Sequence, residues 1–154
     1  MSDTAARTTA ITRAAMRHCV RLGWAPVTEM PLPDGRRADI LALLPGGGFV
    51  ILEVKSGPRD FLADRKWPEY RAWCDRLFFA VDAEFPLALL PEDAGLLVLA
   101  EDDAALLRDA PEHPLAPARR RALLYRFATQ AALRLAAAQD PAGLVEMRAA
   151  LRVE

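Results

Sequence analysis

The stretch "RRADILALLPGGGFVILEVKSG", Arg36 to Gly57, decides the fold of this 154-residue chain. Its two apolar runs predict a pair of β-strands folded back over a Pro-Gly-Gly-Gly turn, rich enough in Val, Ile, Leu and Phe to be buried. Three ionisable residues break the pattern. Asp39 interrupts the start of the first strand, and Glu53 and Lys55 stand near the end of the second. Burying an unpaired charge is costly, so such groups are usually paired, bound to metal or functional.

The turn fixes how the three meet. A three-residue loop of Pro45, Gly46 and Gly47 pairs Leu44 with Gly48 and sets Asp39 directly opposite Glu53, with Cβ atoms roughly 5 Å apart on one face. Lys55 shares that face because side chains alternate along a strand, while the Val54 side chain points away. A slip of one residue would separate them, so the cluster rests on the loop length. Two carboxylates this close repel, and one takes up a proton unless a cation stands between them. Lys55 could be that cation; a divalent metal would serve better. Two carboxylates, the backbone carbonyl of Val54 and several waters suit Mg²⁺ (or Mn²⁺), which prefers oxygen ligands and keeps much of its hydration. Water activated there, with Lys55 to orient it or to stabilise developing charge, could attack a phosphodiester in line.

Around the hairpin, "TTAITRAAMRHCVRLGWAP" predicts a first helix, with Thr8 or Thr9 as N-cap and Gly23 as its stop. Its apolar stripe is Ile11, Ala15, Cys19 and Leu22, widened by Met16 and Val20, and Arg13, Arg17 and Arg21 form a row on the solvated face. A weaker strand over residues 26–32 ends at "PDG". After the hairpin, "SGPRDFLADRKWPEYRAWCD" reads as helix, started by Pro58 and kinked or restarted at Pro68. Phe61, Leu62 and Trp67 are its core-facing residues. "RLFFAV" and "GLLVLAED" are strands, "RDAPEHPLAP" a loop, residues 118–139 a long amphipathic helix and "AGLVEMRAALRV" a terminal one. The order predicts one α/β domain over residues 1–154, a mixed sheet flanked by helices with a C-terminal helical extension.

Composition narrows the function. The chain is 53% hydrophobic and 27% charged, with a net charge of −1. That is globular, and nothing global announces a nucleic-acid partner. No apolar run reaches the roughly 20 residues of a membrane span, and arginines stand where a secretory signal needs apolar residues. A cytoplasmic protein without a membrane partner is expected, with Cys19 and Cys74 as buried thiols. Of 20 basic residues only Lys55 and Lys66 are lysines. A compact ammonium differs from a guanidinium in shape and hydration, which singles the two out.

Asp39, an apolar strand, a tight turn and Glu53-Val54-Lys55 resemble the PD-(D/E)XK nuclease motif, with Ala38 in place of the proline. The flanking helices and strand match that superfamily's restriction-endonuclease-like α-β-β-β-α-β core. The strings "RRADILAL", "EVKSGPRDFLADRKWPEY" and "CDRLFFAV" together resemble the bacterial MmcB-like DNA repair proteins over about residues 8–130. The resemblance implies a metal-dependent nuclease acting on DNA, with Asp39 and Glu53 as metal ligands and Lys55 as catalytic lysine. Other members often add an acidic residue from the first helix. That helix has none between Arg7 and Gly23, and Glu29 on the first strand is the substitute; it opposes Asp39 if the preceding turn has three residues and faces away if it has two. Lys66, with Arg59 and Arg65 beside it, is expected to meet DNA phosphate. Arg37 is a phosphate clamp or an ion-pair partner, and Arg119-Arg120-Arg121 an exposed charge run. Two rivals remain. One is a module of the same fold that holds DNA or other repair proteins without cutting. The other is a buried ion network that only sets strand register.

Overall fold

The hairpin closes as its loop length predicts. Leu43 pairs with Phe49 and Ile40 with Leu52, and the Leu44 amide donates to the Gly48 carbonyl at 2.8 Å. The computed structural model describes residues 2–143 and 146. It comprises α1 (Ser2–Arg21), β1 (Ala25–Pro31), β2 (Arg37–Leu43), β3 (Phe49–Val54), α2 (Pro58–Ala63), β4 (Arg76–Asp82), β5 (Gly95–Ala100), β6 (Asp103–Arg108) and α3 (Pro117–Gln139). Short 3₁₀ turns cover Trp67–Trp73, Leu87–Leu89 and Pro141–Gly143. The expected terminal helix "AGLVEMRAALRV" lies largely outside the described residues.

All six strands form one sheet in chain order. β1, β2 and β3 are antiparallel, β4 and β5 run parallel to β3, and β6 returns antiparallel. This is a mixed sheet flanked by helices, an α/β fold consistent with the restriction-endonuclease-like core. One face packs Ile40, Leu52, Val54 and Phe78 against Ile11, Ala15 and Cys19 of α1. The other packs Leu41, Phe49, Ile51 and Leu77 against Leu123 and Phe127 of α3. A third cluster gathers Phe61 of α2 with Phe79, Val81 and Phe85. Burying β3 on both faces explains why its apolar run is continuous.

Several sequence expectations change. Helix α1 begins at Ser2, and Thr8 lies inside it, its hydroxyl donating to the Thr4 carbonyl. Val20, Leu22 and Leu62 are exposed rather than core. Strand β6 was not expected: "DAALLR" is made of good helix formers without alternation. Glu101, in the left-handed conformation at φ 58°, turns the chain so that this segment pairs with β5. Arg17 and Arg21 are not merely solvated, because Arg17 donates to the Asp102 carbonyl and Arg21 pairs with Asp103. The arginine run heading α3 is also engaged. Arg120 binds the buried Asp75 at 2.6 Å, and Arg119 lies over the Trp73 ring.

Candidate functional site

Asp39 and Glu53 meet where the β2–β3 ladder ends. The Val54 amide donates to Asp39 Oδ2 at 2.8 Å, and the Asp39 amide donates to Glu53 Oε1 at 3.2 Å. Each carboxylate thus spends one oxygen on the opposing strand's backbone. Among the described residues, no second backbone amide reaches either carboxylate, and the two side chains hydrogen-bond to each other. Glu53 is 3% exposed, and Asp39 is half-buried. Burial, then the charge of Asp39, pushes the Glu53 carboxyl far above the usual carboxylate range. Burial raises Asp39 as well. At neutral pH the pair therefore retains a proton that exposed carboxylates would have lost.

Lys55, 5% exposed, stands one residue past β3. Its ammonium does not bridge the two carboxylates. It donates instead to Asp64 at 2.7 Å and lies 3.8 Å from Asp60, one helical turn earlier on α2. Burial alone would raise the Asp64 carboxyl. The Lys55 hydrogen bond and the amides of Lys66 and Trp67 outweigh that and hold it low. Asp60 and Asp64 are the site residues that the sequence reading did not assign. The signal for them was their i, i+4 spacing just after the Glu-x-Lys triplet.

Glu29 does stand across from Asp39, since Thr28 pairs with Ile40 and Met30 with Ala38. Its backbone, at φ 51°, is left-handed, an unusual conformation for a side-chain-bearing residue. Its carboxylate is held by Arg37 at 2.7 Å, so Arg37 is an ion-pair partner here. Arg59, Arg65 and Lys66 are exposed around α2, and none makes an ion pair among the described residues. Tyr70 donates its hydroxyl to the Arg37 carbonyl at 2.9 Å and closes the rim.

These groups line a cleft of about 680 Å³ between the start of α1 and α2, with Asp39, Glu53, Lys55, Asp60, Asp64 and Tyr70 in its wall. Among the described residues no three His, Cys, Asp or Glu side chains converge as a metal cage. A cation here would rest on two carboxylates, the backbone and water. That donor set suits a hard, strongly hydrated divalent ion, and the proton the two carboxylates share is one such an ion would displace.

A family model described as DNA repair protein MmcB-like matches residues 2–142. Among solved structures, SPO1766, a protein of unknown function from Silicibacter pomeroyi, is similar with a TM-score of 0.85 and 46% identity. The match covers 89% of this chain and 94% of that one. No curated protein matches. No helix among the described residues is long and apolar enough to cross a membrane.

Proposed function

The chain belongs to the MmcB-like DNA repair family, and on that premise we propose that Asp39, Glu53 and Lys55 form a PD-(D/E)XK-type site for metal-dependent hydrolysis of DNA phosphodiesters. In this reading residues 1–154 are one cytoplasmic nuclease-like domain with α3 as its C-terminal extension. The observation that carries it is the cross-strand pairing of Asp39 and Glu53, a half-buried and a buried carboxylate facing one cleft, each held by one backbone amide of the opposing strand and the two sharing a proton. A rigid apolar hairpin holds these like charges together, which costs folding energy and marks catalytic sites.

Asp39, Glu53 and the Val54 carbonyl would hold Mg²⁺ or Mn²⁺. Bound there, the ion supplies phosphate charge neutralisation and a water of lowered pKa. Glu29 could join through the carboxylate oxygen that Arg37 does not hold. Lys55, its Nζ anchored by Asp64, presents a fixed positive charge that stabilises the developing negative charge on a reacting phosphate. Arg59, Arg65 and Lys66 flank the cleft and offer neutralisation to the phosphates on either side.

One observation favours the non-cleaving alternative, a module that holds DNA or a repair partner: Lys55 is committed to α2 rather than to the carboxylate pair. Incubating duplex, single-stranded and branched DNA with Mg²⁺, Mn²⁺ or EDTA decides between the two. The nuclease reading expects cutting only with metal, abolished by Asp39→Asn and Glu53→Gln. DNA that is bound but uncut in every arm selects the module instead.

A further inference from the structure

We propose that the groove takes a single DNA strand rather than an intact duplex, and that Arg13 of α1 holds one of its phosphates. This rests on the site's being directed at DNA, though not on its cutting it. Two cavities meet at the carboxylates. The larger lies between α1 and α2. The smaller, about 360 Å³, lies between α1 and β1 and is lined by Thr12, Arg13, Thr28 and Glu29. Thr8, Asp39 and Val54 line both. A chain crossing from one cavity to the other therefore passes the carboxylate pair.

Charge density decides which nucleic acid fits. Glu29, Asp39, Glu53, Asp60 and Asp64 line the two cavities, against Arg13 and Lys55. Lys55 is already taken by Asp64 and Asp60. Arg13 is exposed and makes neither an ion pair nor a side-chain hydrogen bond among the described residues, whereas Arg17 donates to the Asp102 carbonyl and Arg21 pairs with Asp103. A duplex carries a charge per roughly 1.7 Å of axis and a single strand one per about 3.4 Å. A groove so acidic, with so few free cations, accommodates the sparser polyanion. Depth agrees. Glu53 and Lys55 lie on the floor at 3% and 5% exposure, where a flexible strand can bend a phosphate down, while duplex phosphates ride on a stiff rod. The α1 wall adds no repulsion. The hydroxyls of Thr8 and Thr12 donate to helix carbonyls at 2.9 and 2.8 Å, leaving an uncharged surface beside the strand.

Fluorescence anisotropy of the full chain in EDTA tests this, with one labelled oligonucleotide as single strand and as blunt duplex across roughly 50 to 200 mM salt. The single strand should bind at least about tenfold tighter, with a log–log salt slope of about −2 to −3, the signature of three or four phosphate contacts. Arg13→Gln should weaken single-strand binding about three- to tenfold and flatten the slope by about 0.7, with an unchanged urea midpoint. Equal or tighter duplex binding, or an Arg13→Gln protein with the parental affinity and slope, overturns the proposed strand path. Metal-dependent cutting of a preferred duplex would sink this inference and spare the nuclease reading. Preferred single-strand binding without any cutting does the reverse.

Discussion

Replacing Glu53 by Gln should stabilise the metal-free protein, by an amount that grows with pH. Glutamine keeps an oxygen to accept from the Asp39 amide and gains an NH₂ that can donate to the Asp39 carboxylate, so it mimics protonated Glu53 in shape and bonding. The native carboxyl is shifted from 4.5 to about 9 by burial and then by Asp39. Between those values the folded state holds a proton that the unfolded state has released, so wild-type stability falls as pH rises. The slope is about 1.4 kcal/mol per pH unit for one proton. Across the roughly 3.5 units from the unfolded value to pH 8 the ceiling is about 5 kcal/mol. Because Asp39 shares the proton, a difference of about 2 to 5 kcal/mol is expected.

Urea melts in EDTA at pH 5, 6.5 and 8, followed by tryptophan fluorescence, read this directly. The two proteins should match near pH 5, where the wild-type carboxyl is protonated in the fold, and separate steadily above it. Taking the difference between them cancels the titrating groups that do not couple to Glu53 and leaves its joint titration with Asp39. Excess Mg²⁺ at pH 8 should recover the wild type by about 2.7 kcal/mol at one hundred times its Kd and leave Glu53→Gln unmoved. A Glu53→Gln protein less stable than wild type at pH 8 would refute the reasoning and favour the buried ion network, in which losing one partner is destabilising.

The two lysines should separate in cleavage assays: Lys55→Arg should fail nearly as badly as Lys55→Ala, because a planar fork cannot fit the buried point that Asp64 anchors, whereas Lys66→Arg should be tolerated. Full activity in Lys55→Arg would show that only charge matters there. At the opposite end of β3, Asp75→Asn should cost about 1.5 to 3 kcal/mol in urea melts, since it removes the charge from the hydrogen bonds with the partly exposed Arg120. A loss below about 1 kcal/mol would place that pair among ordinary surface bridges.

The site's register was legible because a short glycine loop permits few alignments, and one alignment sets both Asp39 opposite Glu53 and Leu44 opposite Gly48. The α-β-β-β-α-β order was equally open, since Pro58 and Pro68 punctuate the crossover. What stayed hidden was decided by tertiary contact. Strand β6 exists because β5 offers a free edge and Glu101 accepts a left-handed turn; its Ala-Leu composition carries no sign of either. Lys55 could not be assigned to Asp64 because that pairing depends on how α2 leaves the sheet. Nor could Arg120 be told from its neighbours, as only its approach to Asp75 distinguishes it.

That last pair shows what β3 requires of a buried acid. Two carboxylates with little exposure flank this strand, Glu53 near its end and Asp75 beside its beginning. Asp75 accepts the Phe49 and Leu115 amides at 2.7 and 2.8 Å and is clasped by Arg120. Burial would raise it, but these bonds hold it below the usual carboxylate range, so it supports the fold until acid protonates it. Glu53 has one amide and a like-charged neighbour, and its titration moves the opposite way. The chain plainly can match a buried acid with an arginine, of which it has eighteen. At Glu53 it sets a second carboxylate opposite instead, and turns the adjacent lysine toward α2. A strand that satisfies one acid fully and leaves the other short of positive charge, on the floor of a cleft, has the arrangement that the proposed metal site requires.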